Sequence, residues 1–139
     1  MFNPEASIET IEILNKGSMT EHLGIEFLEL GEDYLSAKMP VDHRTRQPFG
    51  ILHGGASLVL AETLGSVAAN CVIDSSKRIA VGLEINGNHV KSVSGGYVVG
   101  VAKPIHIGGK THVWEIRISN ENEQLVCISR ITLAIIDRK

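Results

Sequence analysis

The chain has 139 residues, 43% of them hydrophobic, and 13 Lys and Arg against 16 Asp and Glu give a net charge of -3. That length predicts a single domain, residues 1–139, with a true core. No dense Lys/Arg run is present, which excludes the electrostatic footprint of a nucleic-acid binder. Aromatics are only 4%, so the core has to be built from Val, Ile, Leu, Ala and Gly.

The N-terminal MFNPEASIET carries early acids and no continuous apolar stretch, unlike a secretory leader. Residues 7–16 place Ile8, Ile11 and Leu14 at helical spacing, with Ser7 as N-cap and Gly17 as stop. Leu23 to Leu30 and Tyr34 to Met39 read as strands around a Gly31-Glu32-Asp33 turn. Residues 40–53, polar and punctuated by Pro48 and Gly50, form a loop. Residues 54–72 are the longest candidate helix, apolar nearly all round and therefore expected to be buried on most sides. Beyond the DSSK turn, strands are expected at Arg78–Ile85, Asn88–Ser92, Gly96–His106, Thr111–Ser119 and Gln124–Ile136, with a hairpin turn at Asn120–Glu123.

One long helix followed by about four antiparallel strands is an α+β layout in which the sheet has to curl to cover the helix. Such a sheet leaves faces that favour self-association, so a homo-oligomer is expected. Cys71 and Cys127 sit in apolar runs without CxxC spacing and read as reduced, buried small hydrophobes. Glu62, Asn70, Ser57, Thr63, Ser66 and the glycine pair argue against a membrane span at residues 54–73. The expected location is cytoplasmic.

Between Gly54 and Ile73 the only charged side chain is Glu62. A solitary carboxylate on an apolar segment is costly to bury unless paired, hydrogen-bonded or at work. His53 stands directly before the helix and Gly54-Gly55 open it. The first N–H groups of a helix lack intrahelical partners and carry the positive end of its dipole, so they can hold a developing oxyanion that glycine lets approach closely. Glu62 is then the nucleophile, or the general base for a water. Nine residues of helix correspond to roughly 13 Å of rise and about 180° of rotation. His53 and Glu62 of one chain therefore do not converge on one reacting carbon, and if both act, they come from two subunits. Ser66, four residues from Glu62, shares its face.

Simpler readings exist for the same residues. Glu62 can be paired structurally with Arg44 or Arg46, His53 can be a cap, and Gly108-Gly109 can be a hairpin turn beside solvated lysines. The six histidines lack HExxH or i,i+4 pairing, so no metal site is expected. No GxSxG elbow is present, nor the loop-borne Asp/His signature of hydratases and dehydratases on related folds. A non-catalytic binding module is the alternative to an enzyme.

The stretches MPVDHRTRQPFGILHGGASLVLAETLGSVAAN, VGLEINGNHVKS and KPIHIGGKTHVWEIRI resemble the hotdog-fold acyl-CoA thioesterases, above all through the block QPFGxxHGGAxxxxAExxGS. Within that family they look like the branch acting on 1,4-dihydroxy-2-naphthoyl-CoA and in enterobactin proofreading. The resemblance runs from about Leu23 onward. It implies a long helix wrapped by a curved antiparallel sheet, pairing into dimers and dimers of dimers, with the active site at the dimer interface. It assigns the catalytic carboxylate to Glu62, positioning of the thioester or water to Gln47, and orientation of the carbonyl to His53. Polarisation of the carbonyl falls to the Gly54 amide and assistance to Ser66. It assigns coenzyme A to Gly82, to His89, Val90, Lys91 and Ser92, and to the loop His106, Ile107, Gly108, Gly109, Lys110 and Thr111. The resemblance implies no separate cofactor, coenzyme A being part of the substrate; a thioesterase acting on aryl or acyl carrier protein and a non-catalytic acyl-CoA binding module are the alternatives to it. Ala69 and Asn70 stand where relatives often carry a bulky or aromatic residue, which would alter the acyl pocket.

Overall fold

The computed structural model describes residues 1–139. In chain order it contains α1 (Ile8–Leu14), α2 (Met19–His22), β1 (Glu26–Leu30), β2 (Leu35–Pro40), α3 (Gly54–Asn70), β3 (Arg78–His89), β4 (Tyr97–Ile107), β5 (Thr111–Ser119) and β6 (Leu125–Asp137). All strand pairs are antiparallel, in one six-stranded sheet ordered β1-β2-β4-β5-β6-β3. The sheet does not close, so β1 and β3 each keep an open edge.

The sheet curves around α3, which packs against β2, β3, β4, β5 and β6. Leu60, Ala61, Leu64, Ala68 and Ala69 are fully buried along one side of this helix. Full burial of each leucine contributes about 1.5–3 kcal/mol. Small residues let helix and sheet approach closely: a Cβ on Gly65 would stand 2.5 Å from Ile131 Cγ2, and one on Gly100 would stand 2.7 Å from Leu64 Cδ1. Trp114 is buried, stacks with Phe2 at 6.3 Å and donates through Nε1 to His112 Nδ1 at 3.4 Å. Burial holds His112 below the usual histidine range, which keeps that ring neutral.

The helix of residues 7–16 is present as Ile8–Leu14, with Ser7 and Thr10 forming a reciprocal cap. Ile11 points into the core, but Leu14 is 82% exposed. Four differences from the sequence reading have physical reasons. The strand expected from Leu23 begins at Glu26, because a short helix, α2, and Gly24 at φ 75° use the preceding residues. The runs Arg78–Ile85 and Asn88–Ser92 are not two strands. β3 is continuous to His89, a bulge between Gly82 and Glu84 absorbs the irregularity, and Gly87 gives room to Leu58 rather than making a turn. Val90–Ser92 lie beyond the strand. Finally, α3 is buried on one side only, and Glu62 is exposed in the single chain.

Tight packing at Gly65 yields a measurable expectation. Gly65→Val is expected to cost about 1–3 kcal/mol of stability through overpacking against Ile131, read as a lower denaturant midpoint. An unchanged midpoint would contradict the close α3–sheet contact.

Candidate active site

His53 is the N-cap of α3, in extended conformation at φ -69° and ψ 130°. Its Nδ1 accepts the backbone N–H of Gly55 at 2.8 Å, so the proton of the neutral ring sits on Nε2. His53 O accepts from Ala56 and Ser57. Gly54 N–H is left without a partner in the chain, at the positive end of a 17-residue helix.

Beside it opens a cavity of about 450 Å³, lined by Gln47, Ile51, Leu52, Gly54, Ser57, His89, Val90, Lys91, Ser92 and Val126. His89 crosses the helix start, its Nε2 2.9 Å from where a Cβ on Gly54 would stand. Any residue larger than glycine at position 54 displaces that ring. Gln47 bends back so that its Oε1 accepts the N–H of Phe49. That occupies its carbonyl and leaves the side-chain NH₂ as the donor facing other partners. Gly50 sits at φ 84°, a conformation suited to glycine, and Gly50 N–H closes the tight loop on Gln47 O at 2.9 Å.

Loop 40–53 is anchored at both ends. The buried Thr45 hydroxyl donates to Pro40 O at 2.7 Å, and Thr45 O accepts His53 N–H at 2.8 Å. Arg46 donates through Nε and Nη2 to Ser94 O, and Leu52 N–H donates to Val93 O, tying the loop to the segment after β3. Arg44 donates to the Asp42 carboxylate at 2.7 Å and holds its pKa at about 2, below the ordinary 3.8. Neither arginine therefore pairs with Glu62, as a purely structural role for that acid would require.

Glu62 stands two turns further along α3, away from the cavity and against β3. A Cβ on Gly82 would stand 2.7 Å from Glu62 Oε2, so only glycine at position 82 leaves the carboxylate where it is. Ser66 follows one turn on, on the same face of α3. In one chain, the structure thus brings together Gln47, Gly54, His89, Val90, Lys91 and Ser92, with His53 capping the same helix end. It groups Glu62, Ser66 and Gly82 separately. The loop from His106 to Thr111 lies at the far end of the sheet: Gly108 N–H bonds Thr111 O, Arg78 donates to Gly109 O, and Thr111 aligns with Ala134. His89, at the other end of β3, aligns with Cys127. The two segments assigned to coenzyme A do not meet within one chain.

Ser57, Ile51, Leu52 and Val126 line the cavity without having been singled out. Ser57 was findable, three residues after Gly54 on the same helix face, whereas Val126 reaches the cavity only through the pairing of β6 with β3. Asn70 is not free to shape an acyl pocket as expected, because its amide is bonded to the backbone of Ala80. The thiol of Cys71, at the end of α3, is pushed up to about 11 by burial, in keeping with a small hydrophobe.

A single helix wrapped by an open, curved antiparallel sheet, with a capped glycine at the helix head beside a cavity, is the hotdog architecture of thioesterases. The model of the thioesterase superfamily matches residues 49–127, and the chain belongs to that family. The Escherichia coli 1,4-dihydroxy-2-naphthoyl-CoA hydrolase is 49% identical over 130 residues, 94% of this chain and 95% of that one. The proofreading thioesterase of Cronobacter turicensis is 46% identical over 129 residues, covering 93% of each chain. The crystal structure of a variant thioesterase from Pseudomonas aeruginosa superposes with a TM-score of 0.96 at 44% identity, covering 99% of both chains.

The Asp42–Arg44 pair sets a pH dependence. A carboxylate whose pKa is lowered on folding adds stability that is complete above 3.8 and is lost as pH falls towards about 2. Asp42→Asn is expected to flatten the decline of the unfolding midpoint across that window. An equal decline in both proteins would contradict the assignment.

Proposed function

We propose that this thioesterase hydrolyses aryl- or acyl-CoA thioesters in sites shared between two copies of the chain. The observation that carries the reading is the unpartnered Gly54 N–H beside the cavity, with Glu62 exposed on the open β3 side of the same helix. A thioester carbonyl oxygen on the Gly54 N–H gains its negative charge at a helix N-terminus, where it is stabilised. His53, with its proton on Nε2, and the Gln47 NH₂ supply donors to the carbonyl or to water. Glu62 either attacks the carbonyl carbon, expelling coenzyme A thiolate and forming a mixed anhydride that water then cleaves to the free acid and Glu62, or takes a proton from the attacking water and passes it to the departing thiolate. Ser66 assists it. No separate cofactor enters this scheme.

Topology supports the pairing that completes the site. α3 runs antiparallel to β3, with Gly54 by His89, Leu58 by Gly87 and Glu62 by Gly82. β3 is an open edge flanked by exposed Val81 and Leu83, and an unpaired edge readily accepts a second strand. Two β3 edges related by a two-fold axis run antiparallel. This sets Gly82 of one copy against the Asn88–His89 end of the other, and so carries Glu62 to the second copy's Gly54. The same operation brings His89–Ser92 of one copy towards the His106–Thr111 end of the other, where both can hold one coenzyme A. Two such dimers form a tetramer.

The named activity of the Escherichia coli relative supports an aromatic acyl group such as 1,4-dihydroxy-2-naphthoyl. A second reading is a carrier-protein thioester, the alternative that the sequence resemblance leaves open. A turnover screen over aryl-, β-hydroxyacyl- and fatty acyl-CoA and aryl carrier-protein thioesters decides between them. Hydrolysis of none would overturn both.

Glu62→Gln is expected to reduce kcat by ~10²–10⁴-fold with folding intact, and near wild-type turnover would sink the assignment. Verified heterodimers of Glu62→Gln with His53→Ala chains hold one intact site and should regain activity that neither parent shows. Gly82→Ala displaces the carboxylate while meeting the core only in an ordinary contact, 3.9 Å from Ile131 Cδ1, so kcat should drop ~10²-fold at little cost in stability. Unaltered kcat would place the working carboxylate elsewhere.

A further inference from the structure

The side-chain amide of Asn70 treats the edge of β3 as a partner strand would. Its Oδ1 accepts Ala80 N–H at 3.0 Å and its Nδ2 donates to Ala80 O at 3.2 Å, while Nδ2 also donates to Ser66 O at 2.8 Å. Ile135, opposite Ala80, sends its own N–H away from β3 to Lys110 O at 2.9 Å. In an antiparallel ladder the facing residue then turns both backbone groups outward, so the groups held by Asn70 belong to the open edge.

The remaining edge-facing positions follow by alternation. Gly82 is one. The bulge before Glu84 resets the phase, which makes Ile85, Gly87 and His89 the others. Val90 N–H, bonded to Val126 O at 2.8 Å, confirms the phase at that end. Among the two-fold registers that fit this alternation, two engage all of Gly82, Ile85, Gly87 and His89. With the axis through Asn86, Ile85 meets Gly87 and Gly82 meets His89, so all four free positions are used and Ala80 is not needed. With the axis through Ile85, Gly82 meets Gly87 and Ala80 must pair with His89. We infer that Asn70, by occupying Ala80, excludes the second register and fixes the first for a second copy of this chain. Asn70 thus acts as a positioning residue for the shared site.

This inference rests on the edge-paired dimer proposed above. The register matters because moving the axis by one residue slides one chain past the other by two, roughly 7 Å. Displacements near 1 Å already cost ~10²-fold in rate, so slipped dimers hold Glu62 out of reach of the thioester.

Cysteine cross-linking under copper–phenanthroline reads the register without relying on activity, against the parent chain as background for Cys71 and Cys127. Asn86→Cys faces itself in the first register, at a spacing a disulfide spans. Glu84→Cys mixed with Asn86→Cys reports the second. With Asn70 present, the Asn86 cross-link should dominate. Adding Asn70→Ala should lower its ratio to the mixed product by ~10-fold and reduce kcat in parallel. Asn70→Asp, which keeps the acceptor for Ala80 N–H, should fall between. An undiminished Asn86 cross-link in Asn70→Ala would overturn the inference. No Asn86 cross-link in the Asn70 chain would overturn the edge dimer and the inference with it. Efficient cross-linking without thioester hydrolysis would leave the register standing and sink only the proposed activity.

Discussion

The candidate residues on α3 and β3 are positioned by the close approach of that helix to the curved sheet, an approach that glycines allow. Gly54 lies under the His89 ring, Gly87 under Leu58 and Gly82 under the Glu62 carboxylate, while Gly65 meets Ile131 of the neighbouring β6. A helix packed this near a sheet is held in its place by the close fit of these side chains. The head of the helix is therefore fixed against the end of β3, and Glu62 is fixed beside the middle of the same strand. The constraint keeps the Gly54 N–H and the Glu62 carboxylate apart in one chain while placing both along one open edge.

That separation gives the open edge a use. Exposed edges invite uncontrolled pairing unless something limits them. Here β3 ends its free stretch at a side chain, the Asn70 amide, and carries Gly82 and Gly87, which leave room for the second backbone of the proposed dimer. The loop of residues 40–53 is built in the opposite spirit. It is tied through Thr45, Arg46 and Leu52 to the elements on either side of the cavity, so Gln47 is held on a rigid support rather than on a flexible tip.

Much of this was legible in the sequence where the signal is local. Ser7 capping, the α3 start at His53-Gly54 and the run Thr111–Ser119 all depend on neighbours in the chain. The family block QPFGxxHGGAxxxxAExxGS pointed to the thioesterase superfamily, which the match at residues 49–127 bears out. What the sequence hid was set by distant partners. An apolar run around Glu62 looks the same whether a chain's own sheet covers it or a second molecule has yet to do so. The continuity of β3 through Gly87 depends on Leu58, and the separation of His89–Ser92 from His106–Thr111 depends on how β5 and β6 pair. Asn70 read as an altered acyl-pocket position because its partner, Ala80, is brought to it only by folding.

The central claim is that one thioester is handled by two chains. The most direct test is a crystal structure with an unreactive aryl-CoA analogue in which a methylene replaces the thioester sulfur. The account predicts the analogue's carbonyl oxygen on the Gly54 N–H of one chain, with the nearest carboxylate being Glu62 of the other. A complex in which carbonyl and Glu62 meet within a single chain, or in which the carbonyl lies away from Gly54, would contradict it.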